Sequence, residues 1–161
     1  MSYNRWVLKK IIIIPLFTVV GLVFFLYFNF YNDVSLTDQI TNQGQNTLSI
    51  NGIGLKIEIA DDPIEQSQGL SNRESLASDG GMLFIFPQPT MPGFWMKDMK
   101  FSLDLIWIDA NGEIVEITRN VSPTTYPKSF LPPSPIKYVL EVNAGWADKN
   151  NVKVGNEVMG P

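Results

Sequence analysis

The 161-residue chain contains no histidine and no cysteine. Their absence excludes disulfides, thiolate nucleophiles, histidine-based triads and zinc sites built on His or Cys. Basic residues are scarce as well: 12 Lys+Arg stand against 16 Asp+Glu, a net charge of -4. No basic footprint for nucleic acid is present. Charged residues are only 17% and hydrophobic ones 45%, too apolar for a disordered chain and too sparsely charged for a coiled coil. The sequence also lacks a GxGxxG or Walker phosphate loop. Ser71, Ser75 and Ser102 have no histidine to activate them. Carboxylates, lysines, hydroxyls and tyrosines are left for chemistry.

What is present is unevenly spread. Residues 1–32 carry Arg5, Lys9 and Lys10 and no acid. From Ile11 to Phe28 no residue is charged. Such a run spans ~27 Å as a helix, close to the ~30 Å hydrocarbon core of a bilayer, and extension to Tyr31 closes the gap. Tyr3 and Trp6 lie at one end and Tyr27 and Tyr31 at the other, where amphipathic rings favour the interfaces. The run is apolar all round, unlike a core helix with one apolar stripe. It ends in bulky Tyr27-Phe28-Asn29-Phe30-Tyr31, where a cleaved signal peptide needs small residues. We therefore expect a basic cytoplasmic tail at 1–10 and an uncleaved transmembrane anchor at 11–31. The basic flank puts the N-terminus inside and the C-terminal domain outside, periplasmic or extracellular, on a single-pass plasma-membrane protein. Polar residues 32–46 read as a tether. A folded domain is expected over 47–161.

Within that domain Ile53, Leu55, Ile57 and Ile59 alternate with Gly54, Lys56 and Glu58, the pattern of a half-buried strand. Asn51-Gly52 predicts a tight hairpin back to Leu48–Ile50. Asp62-Pro63-Ile64-Glu65 is a helix start with a capping box, and Gly69 a plausible end. Ser71-Asn72-Arg73-Glu74 repeats the box and predicts a second helical turn. Met82–Phe86 is a continuous apolar run, expected to be a central strand. Pro87, Pro89, Pro92 and Gly93 predict a loop. Leu103–Asp109 and Glu113–Arg119 flank Ala110-Asn111-Gly112, a hairpin signal. This turn is a better account of Asp109–Glu113 than a calcium loop, which needs a Glu where Asn120 stands. Five prolines between 123 and 135 predict an irregular segment. Tyr138–Asn143 reads as a strand, Ala144–Asn151 as a helical turn, and Val152–Val158 as a last strand. The fold class is therefore α+β to mainly β: a compact domain with a twisted, partly barrel-like, mostly antiparallel sheet and short helices, preceded by one transmembrane helix.

Three places could carry chemistry. Phe94-Trp95-Met96-Lys97-Asp98-Met99-Lys100 offers an aromatic platform and charges after a proline-rich loop; the plainer reading makes its apolar residues core and its charges solvated. Asp104 shares a strand face with Ile106 and Ile108, so it must be paired, hydrogen-bonded or protonated. Arg73 and Lys97 are candidate partners, and backbone N–H groups an alternative. Glu141 shares its face with Val139 and Asn143. If the sheet brings Asp98, Asp104 and Glu141 together, two carboxyls could act as acid and base on a glycosidic bond, or bind a hard cation.

Several ordered segments are familiar: Gln68-Gly69-Leu70-Ser71-Asn72-Arg73, Gly81-Met82-Leu83-Phe84-Ile85-Phe86-Pro87, Phe94-Trp95-Met96-Lys97-Asp98-Met99, Leu103 to Asp109, Tyr138 to Gly145, and Val154-Gly155. Over residues 53–158 the chain resembles the domain of unknown function 192 family. The resemblance implies a small, mainly prokaryotic, compact α+β unit with a barrel-like sheet, often behind an N-terminal signal or anchor. It singles out Arg73, Trp95, Lys97, Asp104 and Glu141. The family's usual FWMKNT reads FWMKDM here, so Asp98 and Met99 replace Asn and Thr. No established activity comes with it.

The leading expectation is a membrane-anchored extracytoplasmic binding or accessory module. It would act on an envelope glycan or protein ligand through Arg73, Trp95, Lys97 and Asp98, without a cofactor, metal or nucleic acid. The alternatives are a carboxylate-dependent glycan-active enzyme using Asp104 and Glu141, and a purely structural domain in which Trp95 only packs.

Overall fold

A computed structural model describes residues 47–160. The expected tail at 1–10, anchor at 11–31 and tether at 32–46 lie outside the described residues. Among the described residues, no helix is long and apolar enough to cross a membrane.

The domain is mostly β. Strand β1 (Thr47–Ile50) turns through Asn51-Gly52 into β2 (Ile53–Ala60). Asn51 and Gly52 both have positive φ, 53° and 77°, as a two-residue hairpin turn compatible with strand twist requires. Helix α1 (Pro63–Gln68) follows, with Asp62 accepting from the N–H groups of Ile64 and Glu65. The expected box is displaced by one residue: Glu65 Oε2 accepts from Asp61 N at 3.3 Å. Gly69 ends the helix at φ 49°.

Strand β3 is Gly80–Thr90, β4 Phe94–Trp95, β5 Leu103–Ile108 and β6 Ile114–Val121. A 3₁₀ turn at Pro123–Thr125, the short β7 (Ser129–Phe130), β8 (Ile136–Asn143), helix α2 (Trp146–Lys149) and β9 (Val158–Met159) complete the domain.

Seven strands form one sheet in the order β6-β5-β8-β3-β2-β1-β9, with β2 and β3 parallel and the other pairs antiparallel. The sheet curls into a half-barrel. Its two ends are linked because Ile114 N donates to Asn156 O at 2.9 Å and Gly155 N to Ile114 O at 2.8 Å, just before β9. β4 and β7 form a separate two-stranded arm.

Three expectations are corrected. The strand beginning at Gly80 continues through Pro87 and Pro89 to Thr90, where a loop was expected; its ladder with β8 lapses between Ile85 and Thr90, so the prolines fall where no N–H is needed. Residues 71–74 make turns instead of helix, with Ser71 N donating to Gln68 O and Arg73 N to Leu70 O. The expected strand at 152–158 shrinks to Val158–Met159, because Gly155 at φ 87° interrupts it.

The sheet buries both faces. The inner face packs Leu48, Leu55, Ile57, Ile106, Leu140 and Val142, together with Trp146 and Ala147 from α2. The outer face packs Met82, Phe84, Leu103, Leu105, Trp107 and Val139 beneath Leu70 and Met96. The arm docks on this outer face through Phe94, whose ring meets Phe84 edge-on at 4.8 Å and Trp107 at 5.5 Å.

Candidate functional site

Asp104 and Glu141 lie on neighbouring strands but on opposite faces. The β5–β8 register pairs Asp104 with Val142 and Leu105 with Glu141, and directly paired residues share a face. Val142 belongs to the inner core and Leu105 to the outer one. An acid/base pair across one glycosidic bond is therefore ruled out: the sheet itself separates the two carboxyls.

Asp104 is wholly buried, and both its oxygens are used. Oδ1 accepts from Asn120 N at 2.9 Å, and Oδ2 accepts from Ala147 N at 3.1 Å. Each bond has a structural origin. Opposite Asp104, β6 carries a bulge: Leu103 pairs with Val121 but Leu105 with Thr118. A bulge leaves a ladder N–H unpaired, and Asp104 takes it. Helix α2 has Gly145 at its N-cap and no capping side chain of its own; Asp104 supplies that acceptor from the adjacent strand. The ion pairs expected with Arg73 or Lys97 are replaced by these two backbone contacts.

Glu141 is the opposite case. It is 6% exposed, and among the described residues its Oε2 has no hydrogen-bond partner. The register places Glu58, Met82, Glu141 and Leu105 in one row across the outer face of the sheet. Glu58 and Glu141 are thus two strand spacings, about 10 Å, apart. Arg73 acts between them. Its guanidinium makes a two-pronged ion pair with Glu58, the Nη2–Oε2 arm at 2.8 Å. Burial pushes the Glu141 carboxyl up to about 8, against the lowering pull of Arg73. Near pH 7 the group is mainly protonated and neutral. Arg73 holds Glu58 below its ordinary value through their hydrogen bonds, and is itself raised by them.

A pocket of about 320 Å³ opens over Glu141, at the small end of the range for ligand sites. One wall is the C-terminal end of α1 and the turn after it, Gln66 to Ser71; the others are Phe84, Phe86 and the arm residues Phe94 and Trp95. Gln66 fixes α1 to the sheet, its Nε2 donating to Ile85 O at 2.9 Å and Ala60 O at 3.3 Å. Gly69 keeps the floor open: a Cβ there would lie 3.3 Å from Phe84 Cζ and 4.0 Å from Glu141 Oε2. Trp95 stands at the rim, 55% exposed. That exposure counts against a role in packing alone, whereas Met96, one residue on, is core.

Of the predicted binding residues, Trp95 lines the pocket and Arg73 sits beside it. Lys97 and Asp98 do not line it. Both are exposed, and their main chain joins two turns: Ser71 Oγ donates to Lys97 O at 3.0 Å and Asn72 N to Asp98 O at 2.8 Å. Asp98 adopts φ 56° there, a conformation that Asp and Asn tolerate better than most residues. Sequence reasoning missed Phe84, Phe86, Gln66 and Gly69 as pocket residues. Only Gly69 carried a signal, and it read as a helix stop. Among the described residues, no three carboxyl groups are arranged to hold a metal ion.

The domain of unknown function 192 family model, described as an uncharacterised ACR, matches residues 46–160. A UPF0127 protein of Thermococcus sibiricus is 27% identical over 105 residues. The match covers 64% of the chain, and the chain spans only 64% of that curated relative's length. A crystal structure of a candidate transcription regulator from Sinorhizobium meliloti 1021 is similar at TM-score 0.66 and 33% identity, over 71% of this chain and 90% of that one. A protein of unknown function from Novosphingobium aromaticivorans gives TM-score 0.67 and 28% identity, over 70% and 83% of the two chains.

Proposed function

The chain belongs to the domain of unknown function 192 family, and from that premise we propose that its folded domain is a binding module whose small ligand enters the pocket over Glu141. One observation carries this reading: a carboxyl only 6% exposed, with an unpartnered oxygen, lines an open pocket. Buried polar atoms without partners are rare and costly. Retaining one at a pocket is the mark of a site that a ligand completes. The carboxyl that stabilises the fold, Asp104, is saturated and faces the other way. Among the described residues the other carboxyl in the row of Glu141 is Glu58, about 10 Å away and held by Arg73.

The apolar segment 11–31 and the tether 32–46 support a membrane-held version of this module, with the domain outside the cytoplasm. Protease added to sealed right-side-out vesicles of the expressed chain tests that placement: cleavage of the domain without opening the vesicles is expected, and cleavage only after they are opened contradicts it. Action on DNA is not carried over from the Sinorhizobium meliloti structure, since residues 47–160 hold 9 basic against 14 acidic side chains.

The binding reading is tested by a fragment screen against the full chain in neutral detergent, detected by NMR. Fragments that compete for one site, shift Glu141 and Trp95, and weaken in Trp95→Ala are the expected outcome. Fragments that bind only elsewhere, or none at all, overturn it.

A further inference from the structure

We propose that the pocket selects an organic ammonium ion: an amine on a small apolar or planar body, its cationic head on Glu141 and its body between the aromatic walls. The inference rests on the binding reading above and adds the chemical class of the ligand.

The lining has one ionisable side chain, Glu141, and no Lys or Arg. It has four aromatic residues, Phe84, Phe86, Phe94 and Trp95, and the thioether of Met99. An anion would find no cationic side chain in this set. A neutral ligand would satisfy Oε2 by a single hydrogen bond but gain only contact area from the rings. A cation gains twice. It supplies the missing partner to Oε2 as a charge-assisted bond, and its charge is attracted to the aromatic faces.

The surrounding charges agree. Arg73 is the charged group that faces Glu141, and its own charge is balanced by the two-pronged pair with Glu58. On the strands flanking Glu141, the paired residues are the apolar Met82 and Leu105. The excess of acidic over basic side chains across 47–160 favours approach of a cation. Entry of an ammonium must expel the proton that burial keeps on Glu141 near neutral pH, so binding and proton release are linked.

The test is calorimetry on the full chain in neutral detergent with three probes that share one ring: benzylamine, benzyl alcohol and benzoate. Benzylamine is expected to bind best, releasing close to one proton at pH 7, measured by comparing buffers of different ionisation enthalpy. Its affinity should rise roughly tenfold per pH unit below pH 7.5 and level off above 8. Glu141→Gln, which keeps the shape, should weaken benzylamine at least about tenfold at pH 8 while leaving benzyl alcohol within about threefold. Trp95→Ala, at an exposed position, should weaken benzylamine and benzyl alcohol alike. Benzyl alcohol or benzoate binding as tightly as benzylamine, without proton release, overturns the ammonium and leaves the pocket as a site. Failure of all three to bind overturns the ammonium, and with it the pocket if the fragment screen is also empty.

Discussion

Asp104 and Glu141 lie on paired strands, one register step apart, and both are buried, yet their surroundings differ in kind. On the inner face Asp104 meets two N–H groups left over by a β-bulge and a short helix. On the outer face Glu141 meets apolar neighbours, the charge of Arg73 and an open pocket. The same functional group is part of the scaffold in one place and, in the other, lines an open pocket with one oxygen unpartnered among the described residues. Burial alone does not tell the two apart; the partner count of each oxygen does.

The contrast breaks most visibly at Asp104. Asp104→Ala orphans the N–H groups of Asn120 and Ala147, at ~1–3 kcal/mol each. Urea denaturation should show a loss of about 2–5 kcal/mol. A loss below about 1 kcal/mol would mean the carboxyl is not the cap and bulge anchor described above.

Glu141 should respond in the opposite sense and depend on pH. Its folded value lies near 8, above that of the unfolded chain at about 4.3. The folded state therefore binds the extra proton between those values. Its contribution is fully present below about pH 4, falls as pH rises to 8, and is constant beyond. Glu141→Gln removes this loss. The variant should match the parent to within about 1 kcal/mol near pH 4.5 and exceed it by roughly 4–5 kcal/mol at pH 9, since each tenfold change in proton affinity is worth ~1.4 kcal/mol. Parallel urea midpoints across that range check this; a variant less stable at every pH contradicts it.

Arg73 sharpens the contrast with a smaller effect. Its pair with Glu58 is partly exposed, with side chains 34% and 53% accessible, so Arg73→Met should cost no more than about 1 kcal/mol. Because Arg73 lowers Glu141 against the stronger effect of burial, the variant should titrate Glu141 at higher pH, read from its side-chain carbon resonance. Trp95→Ala should change stability least, within about 0.5 kcal/mol as at other exposed positions. A large loss there, by urea denaturation, would return Trp95 to a packing role.

Much of the frame was legible. Alternation in 53–59, the Asn51-Gly52 turn, the Asp62 cap and the Ala110-Asn111-Gly112 hairpin all follow from local chemistry, and each element forms where expected. The face of Asp104 within β5 and that of Glu141 within β8 were legible too. Which face of β8 aligns with which face of β5 was not, because register depends on long-range pairing. That one unknown separates an acid/base pair from two unrelated carboxyls. The bulge at Asn120 left no mark that a single sequence exposes, so Asp104's true partners stayed hidden. The pocket is assembled from a helix end, a strand and an arm far apart in the chain, and proline spacing suggested a loop where β3 runs on to Thr90.

The central claim is that folding holds Glu141 as a neutral carboxyl on a pocket near pH 7. Its most direct test is the pH titration of the Glu141 side-chain carboxyl carbon by NMR in the full chain, assigned by its disappearance in Glu141→Gln. A midpoint close to 8 is the result expected here. A midpoint in the ordinary carboxylate range near 4 would mean the group is hydrated or paired, and would contradict the account.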